Sequence, residues 1–363
     1  MSLTSGLVLS RTGRKIRNRM VLAAMTNKQS FDDGTLSDEE ISWLLRRAEG
    51  GFGIITTAAS HVSQCGKSWE GEMGVWGDHQ LRKLTELASG IRQRGSIGLV
   101  QIFHGGLRAP RSLTSKQPVS ASINLEKGVE EESRELSDSE IENLIQDFGN
   151  AAKRCEQAGF EGVEIHGAHG YLISQFLGRK TNRRKDRWGG ELIDRSLFLR
   201  KIVECVRKNT SEEFLICVRI SPEHDVGITI DESLGLSELL VEMNIDILHI
   251  SCWDIFSSAS DDLDSKRTIT HRFSEILQNR IPLLTTGSIW NEEDGDFALS
   301  EGADLVGVAR VAIAHPDWAN KIGKSDYSPI KPPFTPEHLM DVELSPIFID
   351  YMRRWKGFVT DGK

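Results

Sequence analysis

Long apolar runs are missing from this chain: nothing approaches the roughly 18 consecutive apolar residues of a membrane-spanning helix. The opening MSLTSGLVLS has no cationic segment followed by a long apolar core. A cytoplasmic protein with no membrane partner is therefore expected. Positive charge is also scarce, with 44 Lys and Arg against 53 Asp and Glu and a net charge of -9. Sequence-independent nucleic-acid binding needs clustered cations to displace phosphate counterions, so no nucleic-acid partner is expected either. The five cysteines, Cys65, Cys155, Cys205, Cys217 and Cys252, are odd in number and widely spaced, with no C-x2-C pair. That excludes a disulfide framework and an iron–sulfur cluster.

What is present is ordinary for a globular protein: 39% hydrophobic and 27% charged residues over 363 positions, enough for a substantial core. Short apolar runs rich in β-formers recur at 20–23, 53–57, 97–103, 162–166, 214–220, 245–251, 281–286 and 303–309. Several lack polar alternation, as parallel strands buried on both faces do. Between them lie helical periods, the clearest placing Ile141, Leu144, Ile145, Phe148, Ala151, Cys155 and Ala158 on one face. Ser137 with Glu140 reads as its capping box, and Ser37 with Glu40 repeats the device. No G-x-G-x-x-G follows the first strand, and Gly50, Gly51 and Gly53 precede a strand instead of opening a helix, which weakens a dinucleotide-binding open sheet. The expectation is an α/β fold, a TIM (β/α)8 barrel in one domain over 1–363, with 321–363 as a C-terminal extension. Two long polar connections, 104–136 and 167–193, follow strand C-termini, the face on which such barrels place their active sites.

The stretch EIHGAHGYLISQFL sends three protic side chains, His166, His169 and Tyr171, from one strand end. Two imidazoles so spaced suit zinc, but a third ligand is missing, since Glu164 shares the strand face and stands further from the loop. Arg219 lies in an apolar run, where a guanidinium needs an anionic partner.

HGAHGYL, followed by Asn182, Arg184, Asp186, Trp188, Gly189 and Gly190, resembles the central signature of the old yellow enzyme family. NRMVLAAMT, RAEGGFGIITT, VQIFHGG, CVRIS, TTGS and ADLVGVARVAIAHPDW extend the resemblance over roughly residues 5–320. It implies noncovalently bound FMN, with NADH or NADPH as electron donor and a small-molecule substrate. It implies that Ala24, Met25, Thr26, Ala59, Gln101, His166 and Arg219 line the isoalloxazine, and that Gly287, Ser288, Ala309 and Arg310 hold the phosphate. His166, His169 and Tyr171 become the catalytic group, acting on an activated alkene in ping-pong turnover. Ala24 stands where the family usually has proline, Ala309 and Ser288 where it has glycine, and Ala58 where it has an acid. Lys28 takes the place of a substrate-side tyrosine of one branch and suits a carboxylate; Leu107 displaces the usual arginine, leaving Arg108 one position late.

Other readings are a flavin dehydrogenase or oxidase of an amine or alcohol, and a flavin-free phosphate-binding lyase or isomerase barrel. The basic run RKTNRRKDR at 179–187 suits either a nucleotide tail or simple solvation. The segment YMRRWKGF covers either the barrel or a neighbouring subunit in a homo-oligomer.

Overall fold

The computed structural model describes residues 1–126, 129, 131–262, 267–324 and 326–360. Every one of the eight apolar runs forms a strand: β1 (Met20–Leu22), β2 (Ile54–His61), β3 (Ile97–Phe103), β4 (Gly162–Gly167), β5 (Leu215–Ile220), β6 (Ile247–Ser251), β7 (Leu283–Thr286) and β8 (Leu305–Val308). They are parallel, neighbours in chain order are neighbours in space, and β8 closes on β1 through Val306 opposite Met20. The open-sheet alternative is thereby excluded. β2 runs past its expected end to His61, crossing a register shift between Thr56 and Ala59.

Seven helices, α1 (Asp38–Glu49), α2 (Leu81–Gln93), α3 (Asp138–Ala158), α4 (Leu197–Asn209), α5 (Ile230–Glu242), α6 (Ile269–Leu277) and α7 (Glu292–Ser300), alternate with the strands outside the ring. α3 starts on the Ser137–Glu140 box, buries its expected face and stops at Gly159, whose φ of 94° needs glycine. α1 corrects the second expected box. Ser37 accepts the Glu40 amide, but the Glu40 carboxylate does not return to Ser37. It is fully buried and accepts instead from Asn27 Nδ2 at 2.8 Å and from the Ser30 hydroxyl, which tie the loop after β1 to α1.

Because strand side chains alternate between faces, every second residue enters the barrel. Leu9 and Ile16, from the hairpin of Leu7–Val8 with Lys15–Ile16, plug the lower end against Val21, Ile54, Ile97, Leu99, Leu215, Ile247, Leu284 and Leu305. Above this apolar floor the same alternation brings Gln101, Glu164, Cys217 and His249 inward, then His166, Arg219 and Ser251 near the rim. Gln101 pairs in register with Glu164, and Glu164 with Cys217.

The long connections lock together at the rim. Buried Arg184 donates to the carbonyls of Ala121 at 3.0 Å and Leu136 at 2.7 Å, and Asn124 Nδ2 donates to the Thr181 carbonyl. Of the four arginines of 179–187, Arg179 pairs with Glu232, Arg184 with Asp186 and Arg187 with Asp138 and Glu142, while Arg183 donates to Asn124 and the Ile123 carbonyl. The C-terminal segment packs on its own barrel, with Phe348 edge-on to Trp43 at 5.3 Å, and within it Phe358 lies against Phe334 at 5.3 Å.

Candidate active site

The rim of β4 gathers the three protic groups expected there. The His166 and His169 rings lie 4.9 Å apart, and Tyr171 lies 5.2 Å from His166. Tyr171 is held edge-on against Phe103 at 5.0 Å and faces Trp69 at 6.2 Å. His169 adopts φ of 63°, a left-handed conformation costly for a side-chain-bearing residue. Its amide donates to Ser221 Oγ at 3.0 Å, and its carbonyl accepts from Arg108 at 2.6 Å. Backbone held in such a region by surrounding bonds is typical of a functional site.

Ser251 Oγ accepts from Arg219 at 3.0 Å and contacts His169 Nε2 at 2.7 Å. With a second lone pair and one proton left, the hydroxyl can either accept from or donate to Nε2, according to the His169 tautomer. Burial, reinforced by the Arg219 charge, pushes both imidazoles well below their ordinary range, so each is neutral with a single N–H donor. Burial pushes the Tyr171 phenol up to about 12, against a smaller opposing pull from Arg108. The cluster therefore offers two neutral donors and a protonated acid.

The fit to a flavin rests on buried polar atoms without partners and on a backbone cradle. Arg219 is 7% exposed and His166 2%, yet Arg219 Nε and His166 Nδ1 have no protein hydrogen bond. Polar atoms this deep call for a ligand partner. Glu164 does not join the histidine pair as a metal ligand: it accepts from Gln101 Nε2 at 2.7 Å and pairs with His249 Nδ1 at 2.6 Å. Cys217 Sγ, 3.4 Å away, completes a group of metal-ligating types, but these side chains already satisfy one another. At the seventh loop, Gly287 has φ of 147°, and a Cβ there would stand 2.4 Å from the Cys252 carbonyl, so glycine is required. Ser288 donates its hydroxyl to the Trp253 carbonyl at 3.1 Å, leaving its backbone amide as the donor for an anion. Ala309, with φ of -125°, needs no glycine, and exposed Arg310 follows it. Ala24, Met25 and Thr26 are half-buried beyond β1, and Ala59 is buried at the end of β2.

Some residues at the site were given no role from the sequence. Arg108, displaced by one position, still arrives, its guanidinium 5.6 Å from the Tyr171 ring and bonded to Glu126. Tyr351 comes from the C-terminal segment, with the Lys28 ammonium 5.8 Å from its ring. Trp69 and Ser251 were equally silent, although Ser251 ends a strand on the face where sites form.

A closed parallel barrel with buried, unpartnered polar side chains at its rim has the architecture of a flavin-dependent oxidoreductase. The chain belongs to the NADH:flavin oxidoreductase / NADH oxidase family, whose model matches residues 11–328. It is 36% identical over 318 residues to the probable NADH-dependent flavin oxidoreductase YqiG of Bacillus subtilis, covering 86% of this chain and 85% of that protein. It is 32% identical over 325 residues to the NADH:acrylate oxidoreductase of Vibrio harveyi, covering 86% of this chain but only 32% of that longer protein. Among solved structures, 2-naphthoyl-CoA reductase superposes with a TM-score of 0.80 at 26% identity, over 88% of this chain and 52% of that one. The old yellow enzyme homologue of Zymomonas mobilis gives 0.82 at 24% identity, over 94% and 99%. The protein is thus an old yellow enzyme relative that uses FMN with NADH or NADPH, and the flavin-free lyase or isomerase reading is set aside. Among the described residues, no helix is long and apolar enough to cross a membrane.

Proposed function

We propose that this enzyme reduces activated alkenes, α,β-unsaturated carbonyl compounds, at the expense of NADH or NADPH by ping-pong hydride transfer. FMN, when bound, supplies the hydride acceptor for the nicotinamide and the hydride donor for the alkene. His166 and His169 donate to the substrate carbonyl oxygen and stabilise the negative charge that develops on it. Tyr171 gives its phenolic proton to the α-carbon. Gln101, Thr26 and Arg219 hold the flavin ring, and Gly287, Ser288 and Arg310 hold its phosphate. Lys28 biases the entrance towards carboxylate-bearing alkenes.

The observation carrying this reading is the pairing of two neutral imidazoles with a phenol held near pKa 12, all within about one ring contact. An amine or alcohol dehydrogenase needs a base at this place, and each neutral imidazole keeps one unprotonated nitrogen, so the products decide between the two readings. The test is anaerobic. Enzyme reduced with NADH or NADPH is mixed with cyclohexenone, and oxidised enzyme is mixed separately with primary amines and alcohols. Reoxidation by the enone with saturated ketone as product supports the proposal. Reduction by an amine or alcohol, with no enone turnover, overturns it.

A further inference from the structure

Glu164 takes no part in the chemistry described above, yet it is a charged group 1% exposed at the centre of the barrel. Three side chains from three strands converge on its two oxygens: Gln101 Nε2 at 2.7 Å from β3, His249 Nδ1 at 2.6 Å from β6 and Cys217 Sγ at 3.4 Å from β5. His249 continues to Thr286 Oγ1 at 3.1 Å, beside Gly287. A polar chain thus crosses the barrel from the residue expected at the flavin ring to the loop expected at its phosphate.

We propose that Glu164 is a positioning residue of the flavin site, fixing which face of the Gln101 amide meets the flavin and opposing the Arg219 charge beneath it. An ionised carboxylate only accepts, so Gln101 must turn its nitrogen to Glu164 and leave Oε1 for a donor on the ligand. Burial acts to raise the Glu164 carboxyl, but His249, Arg219 and Gln101 outweigh it and hold it down at about 2. Burial lowers His249 against the opposing pull of Glu164, while Cys217 is pushed well above its range and stays a thiol. Above the apolar floor, then, the Glu164 carboxylate lies one layer below the Arg219 guanidinium. Electron uptake adds negative charge to the flavin, so Glu164 resists it and Arg219 favours it.

Midpoint potential and FMN affinity, both read without substrate, test this independently of the alkene reading. Glu164→Gln removes the charge at constant size. The potential should rise by about 30 mV or more, equivalent to a tenfold tighter grip on reduced relative to oxidised flavin. Oxidised FMN should bind about tenfold more weakly, because a charge-assisted bond that fixed Gln101 is gone. Arg219→Met should move the potential the other way, and Glu164→Asp should restore the potential but not the affinity. If Glu164→Gln does not fold, His249→Leu serves. It strips a donor from Glu164 while Gln101, Cys217 and Arg219 still face it, so the carboxyl protonates at higher pH and the excess potential over wild type grows as pH falls. An unchanged potential in Glu164→Gln, or a His249→Leu potential running parallel to wild type with pH, overturns the proposal.

Discussion

Tyr171→Phe removes one oxygen and leaves the ring that packs at 5.0 Å on Phe103 and 5.2 Å from His166. The site should keep its shape, so the change isolates the proton. A positioned general acid contributes about 10²–10⁴-fold, or about 3–5 kcal/mol of barrier. Reoxidation of the reduced enzyme by cyclohexenone should slow by that factor, while reduction by NADH or NADPH should be nearly unaffected. The pH profile gives a second, independent check. The acid works in its protonated form, and with the phenol pushed up to about 12 the wild-type rate should stay level through pH 10 and fall only towards 12. His166 and His169 work as neutral donors. Because their pKa values are driven below the ordinary histidine range, no transition should appear near pH 6.5. Anaerobic stopped-flow of both half-reactions between pH 6 and 11 measures all of this. Equal slowing of both half-reactions by Tyr171→Phe, or an alkaline limb centred near 10 in wild type, would refute the argument.

Glu40, fully buried, has its carboxyl raised by desolvation to about 6 against the opposing bonds from Ser30 and Asn27. A raised folded-state pKa means stability that is complete below the unfolded value of about 4.3 and is lost as pH rises through 6. Chemical denaturation should therefore show wild type losing about 2 kcal/mol between pH 4 and 8 relative to Glu40→Gln, and identical slopes would contradict this. Burial acts to raise the half-buried Cys65 thiol, but the His104 imidazole, 3.4 Å away, outweighs it and holds it near 7. Iodoacetamide labelling, followed by peptide mass, should inflect near pH 7 at Cys65, and His104→Phe should move the inflection above 8. Lys28→Met should raise KM for acrylate several-fold and leave cyclohexenone unchanged; equal effects on both would remove Lys28 from substrate selection.

The strands were legible because each is buried on both faces, so its apolar run stands out against polar connections without needing alternation. The clustering of His166, His169 and Tyr171 was legible because three protic residues within six positions of a strand end have few structural uses. What lay hidden depended on distance along the chain. Glu164 could be placed on the same face as His166, but its partner His249 lies 85 residues away on another strand. Tyr351 reaches Lys28 only because the C-terminal segment packs through Phe348 onto Trp43 of α1. Glu40 matched a capping box in spacing, yet spacing does not report that Asn27 and Ser30 bring competing donors to the same carboxylate.

The departures from the family pattern are better judged by backbone geometry than by residue type. Gly287 and Ser288 sit side by side at φ of 147° and 55°, and only the first is locked to glycine, because only there does a Cβ meet a carbonyl at 2.4 Å. Ser288 accepts its left-handed conformation and anchors it by donating to the Trp253 carbonyl, much as His169 is anchored by Ser221 and Arg108. Ala309 lies at φ of -125°, outside the left-handed region that calls for glycine. The substituted positions therefore keep the backbone of this loop, which the proposed phosphate site requires, with Arg310 as its proposed charge. The same reasoning applies at the rim of β3, where the arginine displaced by Leu107 reaches Tyr171 from position 108. A side chain as long as arginine absorbs a one-residue shift that a short one at the same place would not.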